Sequence, residues 1–213
     1  MNTRTIVDSP VKIRSASAYS SMHNGTLIGM RIPRDFFVSS GTGESDITVH
    51  AGSYHLALKE AGIEMCNIMT YSSILPACAR RIDPPVSLPH GAVMETIMAV
   101  STAPRGSRAT AGISWAWLTD RESGDKHGGL VCEYNGELDE DSARSQLHAS
   151  LHELYEHGYS DAFELAEPEL VSRSFIPSRA FGTALVSLNF VNYIVPVLDG
   201  TELNAPAASH DTF

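Results

Sequence analysis

The chain has 213 residues, enough for one sizeable core or two small ones. Hydrophobic residues make up 43% and charged residues 19%, the balance of a soluble globular protein. A formal net charge of −10 argues against nucleic acid and anionic membranes as partners, and favours a cationic small molecule over an anionic one.

Residues 1–25 are rich in Ser, Thr and Asn and lack both periodicity and the apolar run of a secretory signal, so a flexible arm is expected there. Leu27 to Ser39 alternates apolar and polar residues and reads as a strand. Ser39 to Ser45, with Gly41 and Gly43, reads as a turn with a helix start behind it. No lysine follows at Walker spacing, so a phosphate loop is not supported. Ile47 to Ala61 is expected to be a helix with Tyr54, Leu58 and Ala61 on one face and Gly62 as its stop. Cys66 to Tyr71 reads as a short strand, and Pro76 to Pro89 as irregular because Pro84-Pro85 breaks any regular element.

Ala92 to Thr102 and Ala109 to Leu118 read as further strands. Trp115 and Trp117 flank Ala116, so one face of the second strand suits sheet packing or an interface. Thr119 to Gly129 reads as a polar hairpin-like loop and Leu130 to Tyr134 as a strand. Asp139 to Glu156 is expected to be a helix whose positive N-terminal end suits Asp139, Glu140 and Asp141. His148, His152, His157 and Glu153 lie on it or just past it, without the H-E-x-x-H order of a zinc site, and read as a solvated face. Phe181 to Leu198 is the most apolar stretch, but Asn189, Asn192 and Pro196 make it one long or two short buried strands rather than a membrane span. Residues 201–213 form a polar tail. No repeat or linker divides the chain, so one α+β domain over residues 26–200 is expected, with the cytoplasm as the default compartment. Cys66, Cys78 and Cys132 are odd in number and unpaired in spacing, which speaks against a disulfide framework and against zinc.

The most informative segment is Asn67 to Pro76. Ser72 and Ser73 close an apolar run just before Pro76, and hydroxyls there must be hydrogen-bonded or do chemistry. By spacing alone they read as hydroxyls capping the turn before Pro76 rather than as a reactive pair.

The surroundings carry more. Ala61-Gly62-Ile63, Asn67 and Ser72-Ser73-Ile74-Leu75-Pro76 resemble the pyruvoyl-dependent arginine decarboxylases. His90 to Ala99, Ala111 to Trp115 followed by Glu133-Tyr134, Phe181 to Leu185, and Leu188 to Phe190 resemble the strands of the bacterial members. The resemblance runs in order from about Arg31 to Pro196. It implies a four-layer αββα sandwich, assembled as a homotrimer or dimer of trimers with active sites between subunits. It also implies self-cleavage into a β chain of residues 1–72 and an α chain of residues 73–213, with Ser73 converted into a covalent pyruvoyl cofactor and no metal. Ser72 supplies only the carbonyl that is attacked. The resemblance places the proton donor at Glu133, with Glu95 as the reserve acid, and a cofactor-binding amide at Asn67.

Arginine-using members carry an Asp on the first helix that pairs with the guanidinium, and this chain has His55 there. A carboxylate binds guanidinium through two charge-assisted bonds, which imidazole cannot make. Either another acid such as Glu44, Asp46 or Glu60 takes that role, or the substrate is another amino acid such as ornithine, lysine or histidine. His55, Ile74, Glu44 and Asp46 are therefore the candidate substrate-binding residues. An uncleaved homologue serving as an assembly subunit is the further alternative.

Overall fold

The structure is a computed structural model that describes residues 28–197; the N-terminal arm and the C-terminal tail expected from the sequence lie outside the described residues. Arg31–Ile194 forms one unit, and the described residues beyond it, 28–30 and 195–197, group separately. In the latter, Ile28 and Val197 make an antiparallel bridge, and the Gly29 N–H donates to the Pro196 carbonyl at 2.8 Å.

Two sheets are stacked in the main unit. One has the order β2 (Asn67–Thr70), β5 (Val93–Pro104), β9 (Phe181–Ile194), β1 (Ile32–Ser45) and β4 (Arg80–Arg81). The other has the order β3 (Ile74–Pro76), β7 (Lys126–Gly136), β6 (Ala109–Asp120) and β8 (Phe163–Phe175). Side chains alternate between the two faces of each strand, so each sheet feeds two cores. Phe36, Ile97, Val186 and Leu188 from the first sheet meet Leu75, Ile113, Trp115 and Val131 from the second in the central core. Phe37, Met94 and Leu185, on the opposite face, pack against Ala57 and Leu58 of α1 (His55–Glu60). Ala116, Leu118 and Leu130 pack against Leu151 and Tyr155 of α2 (Glu140–Gly158). The result is an α+β sandwich layered helix, sheet, sheet, helix.

The helices follow from local chemistry. In α2 the buried residues Ala143, Leu147, Leu151 and Tyr155 recur every four positions, a single stripe. Asp139 caps it by accepting from the Ser142 N–H at 2.9 Å, which holds the Asp139 carboxyl below its usual range. The first helical segment enters as a π-helical turn, Val49–Tyr54, before α1, and ends at Gly62 with φ of +75°, a conformation glycine adopts without steric cost.

Two sequence expectations are corrected, and one strand is added where the sequence reading names no element. Ser39 to Ser45 is not a turn, because β1 continues through it in unbroken register with β9. Its glycines let the helical layer lie on the strand. A Cβ on Gly41 would stand 2.2 Å from the Ala57 carbonyl oxygen, and one on Gly43 the same distance from that of Ser53. Second, the supposed loop from Thr119 is mostly the paired ends of β6 and β7, with only a tight turn between Asp120 and Lys126. The added strand, β8, fills the stretch between α2 and β9. It is an edge strand carrying Glu164, Glu167, Pro168 and Glu169, with an irregularity in pairing opposite Trp115 and Trp117 and a φ of +53° at Glu167. Charge, proline and a bulge protect an edge from further pairing, and they also erase the apolar alternation that would reveal it. The apolar C-terminal stretch is the single strand β9, buried from Gly182 to Phe190 because it is covered on both faces. No helix among the described residues is long and apolar enough to cross a membrane.

Candidate active site

Asn67 lies on β2, the edge of the five-stranded sheet, and Ser73 immediately precedes β3, the edge of the four-stranded sheet. The chain passes from one sheet to the other between them. The Tyr71 N–H donates to Thr96 O on the first sheet at 2.7 Å, and the Val131 N–H donates to Ser73 O on the second at 3.2 Å. The Ser72–Ser73 bond is thus the crossover between two anchored edges.

Two features bear on the reactivity of that bond. The Ser73 hydroxyl donates to the Glu133 carboxylate, with Oγ 2.6 Å from Oε1 and 2.8 Å from Oε2, across sixty residues of chain. The Ser72 carbonyl oxygen accepts from the Ile74 N–H at 3.0 Å, closing a three-residue turn centred on Ser73. A base thus sits on the hydroxyl and a donor on the neighbouring carbonyl, the two requirements for attack of one on the other. These residues fit the formation of a pyruvoyl group at position 73.

Glu133 reaches Ser73 because β3 and β7 are paired, with Ile74 opposite Leu130, and because Glu133 shares a strand face with Val131. It is exposed in the single chain, so the apolar surroundings suggested by its neighbours belong to the strand and not to the carboxylate itself. Burial, and then the adjacent Glu133 charge, push the Cys132 thiol up to about 11, which leaves it protonated and inert at neutral pH. Asn67 donates from Nδ2 to Gly91 O at 2.9 Å. Ile74 is exposed beside the fully buried Leu75.

The remaining candidates lie elsewhere or are engaged. His55 is the exposed first residue of α1. Glu44 accepts from the Ser178 N–H and from the Arg179 N–H at 3.3 Å. Asp46 accepts from the Ala180 N–H at 3.0 Å and lies 3.4 Å from Arg105 Nη2. Glu60 is held by Thr42, through its N–H at 2.7 Å and its hydroxyl at 2.8 Å. Glu95 is buried on β5 and paired with Arg31. Trp115 is in the central core, with Trp117 packed against it, rather than on an outer surface. His148 and His152 stack with ring centroids 4.5 Å apart on an exposed face, and no cluster of metal-ligating residues occurs among the described residues. Two features had no sequence signal: the Ile74 backbone donor, because every residue but proline has that N–H, and Arg31, because its partner is 64 residues away.

A family profile described as pyruvoyl-dependent arginine decarboxylase matches residues 35–195. The pyruvoyl-dependent arginine decarboxylase AaxB of Chlamydia abortus is 31% identical over 187 residues, covering 78% of this chain and 94% of that protein. AaxB of Chlamydia muridarum is 33% identical over the same shares. The pyruvoyl-dependent arginine decarboxylase of Methanopyrus kandleri is 39% identical over 70 residues, covering 33% of this chain and 45% of that protein.

Proposed function

The chain belongs to the pyruvoyl-dependent arginine decarboxylase family, a family of carboxy-lyases, and from that premise we propose that it cuts itself between Ser72 and Ser73 and then decarboxylates arginine to agmatine. The observation that carries the reading is the Ser73–Glu133 contact. Glu133 takes the hydroxyl proton as Ser73 Oγ attacks the Ser72 carbonyl carbon. The oxygen that becomes negative is the one already facing the Ile74 N–H. The Ser72–Ser73 C–N bond breaks, the nitrogen takes a proton, and an ester joins the two residues. Loss of the Ser73 Cα proton then expels the Ser72 carboxylate from Cβ, leaving dehydroalanine at position 73. Water replaces the nitrogen, ammonia leaves, and the α chain begins with a pyruvoyl ketone. No oxidant or reductant is needed.

That ketone supplies the electron sink for loss of carbon dioxide. Glu133, now without its serine, is placed to deliver the proton that replaces carbon dioxide on the α-carbon. Asn67, fixed through Gly91, orients groups at the edge of β2. Exposed Met69, Ile74 and Val93 surround these edges, which supports a trimer in which a neighbouring subunit covers the site. Mass spectrometry of the purified protein tests the reading: two fragments parted after Ser72, the larger without a free amine, are expected together with carbon dioxide release from carboxyl-labelled arginine. An intact chain that never matures would refute it and favour an assembly subunit.

A second reading keeps the chemistry and changes the amino acid. Its support is that Glu44, Asp46 and Glu60 are all engaged by other groups, while His55 stands where a guanidinium-binding acid is expected. Carbon dioxide release from ornithine, lysine or histidine in place of arginine would establish it.

A further inference from the structure

Among the described residues two acids are buried, Asp35 and Glu95, and the proposed chemistry uses neither; Asp35 is hydrogen-bonded by Arg80 and Asn192, whereas Glu95 is not so satisfied. Its side chain is 2% exposed and shares a strand face with Ile97 and Ala99 of the central core. Burying a carboxylate without a partner is among the most costly events in folding. The Arg31 guanidinium forms an ion pair with Glu95, yet the buried Glu95 Oε1 accepts no hydrogen bond among the described residues. Arg31 comes from the residue just before β1, and its side chain is 54% exposed.

The same guanidinium lies over the Tyr193 ring, with Cζ 5.5 Å from the centroid. Burial, and then the nearby Tyr71, push the Tyr193 hydroxyl up to about 12 against the opposing pull of Arg31, so the ring stays neutral. Carboxylate at one side and aromatic face at another is the chemistry that selects a planar, fork-shaped cation over a compact ammonium. The demand for that cation sits on the buried acid. The group meeting it is held by one ion pair and one ring, with half its surface in water, where such contacts are weak.

We propose that the Glu95–Tyr193 niche is a guanidinium-binding site that the chain fills with its own Arg31, and that a free alkylguanidinium takes its place when Arg31 is withdrawn. The site is separate from Ser73 and does not depend on whether the chain is cut there. It borders the cleavage segment all the same. Glu95 pairs with Met69 in the sheet, Thr96 accepts from the Tyr71 N–H, and the Tyr71 ring lies 5.7 Å from Phe190, the partner of Glu95 in β9. An arginine-like amino acid or amine would therefore be sensed at Tyr71, the residue directly before Ser72 and the bond that is proposed to break.

The test is chemical rescue in a full-length Ser73→Ala background, where no cofactor forms. The probe is methylguanidinium, which has neither an α-amine nor a carboxylate and cannot be a decarboxylase substrate. Methylammonium is the control of equal charge. Arg31→Ala is expected to lower the melting temperature by about 5 °C. Millimolar methylguanidinium restores at least half of that loss, methylammonium does not, and the Arg31→Ala/Glu95→Gln double variant shows no such selectivity. If Arg31→Ala does not fold, Arg31→Lys keeps the charge without the fork and carries the same comparison. Equal responses to the two cations, or rescue that survives Glu95→Gln, would overturn the proposal.

Discussion

Replacing Glu133 by Gln removes the base from Ser73 while keeping its shape. In the native chain the Ser73 Oγ stands 2.6 and 2.8 Å from the two carboxylate oxygens, so its proton is shared by a pair of charged acceptors. The amide offers one oxygen, no charge and no place for the proton to go. A positioned general base contributes about 10²- to 10⁴-fold, or roughly 3–5 kcal/mol of barrier. The Ile74 N–H still faces the Ser72 carbonyl, because no side-chain change at position 133 removes a backbone donor. Maturation of Glu133→Gln is therefore expected to be slower by that factor yet measurable, whereas Ser73→Ala does not mature at all. The assay is a time course of intact chain and fragments by mass spectrometry, starting from freshly made precursor. Maturation of Glu133→Gln at the native rate would show that the contact across the sheets is not the base, and the proposed first step would fail with it.

Gly43→Ala places a Cβ 2.2 Å from the Ser53 carbonyl oxygen and 2.5 Å from the Ala57 nitrogen, both backbone atoms that cannot turn aside. A loss of about 1–3 kcal/mol is expected, or several degrees of melting temperature by calorimetry; an unchanged melt would mean the helical layer is not seated on β1 as described. Asp35 is buried, and its hydrogen bond from Arg80 at 2.5 Å, helped by Asn192 at 2.8 Å, holds its carboxyl below the usual range against the opposing effect of burial. A carboxyl depressed in the folded state stabilises above its unfolded value and loses that contribution as pH falls through the folded one. Stability should therefore drop below about pH 4, and Asp35→Asn should flatten that acid limb in melts recorded against pH; an equally steep limb would count against it. His55→Asp should raise kcat/KM for arginine relative to lysine by about tenfold or more if position 55 meets the substrate, because a carboxylate gains two charge-assisted bonds to guanidinium. An unchanged ratio would place that residue away from the substrate.

Much of this protein is written locally. The four-residue stripe of α2 and its Asp139 cap, the stop at Gly62, and the apolar runs of β5, β6 and β9 are each decided by neighbours within a few residues, and so are readable in order along the chain. Ser72-Ser73, Asn67 and Glu133 could likewise be singled out, through the series of segments that frames them. What tertiary structure decided is where distant groups meet. Gly41 and Gly43 look like a turn until a helix backbone lies on them, because a glycine permits close approach as readily as it permits a bend. Strand β8 hides because an edge replaces apolar alternation with charge and proline. The hydroxyl of Ser73 meets the Glu133 carboxylate only because β3 and β7 pair, and Glu95 meets a cation only because Arg31 precedes the strand two places across the sheet. Sequence spacing sets which residues share a face; strand pairing, which no local pattern encodes, sets which faces come within bonding distance.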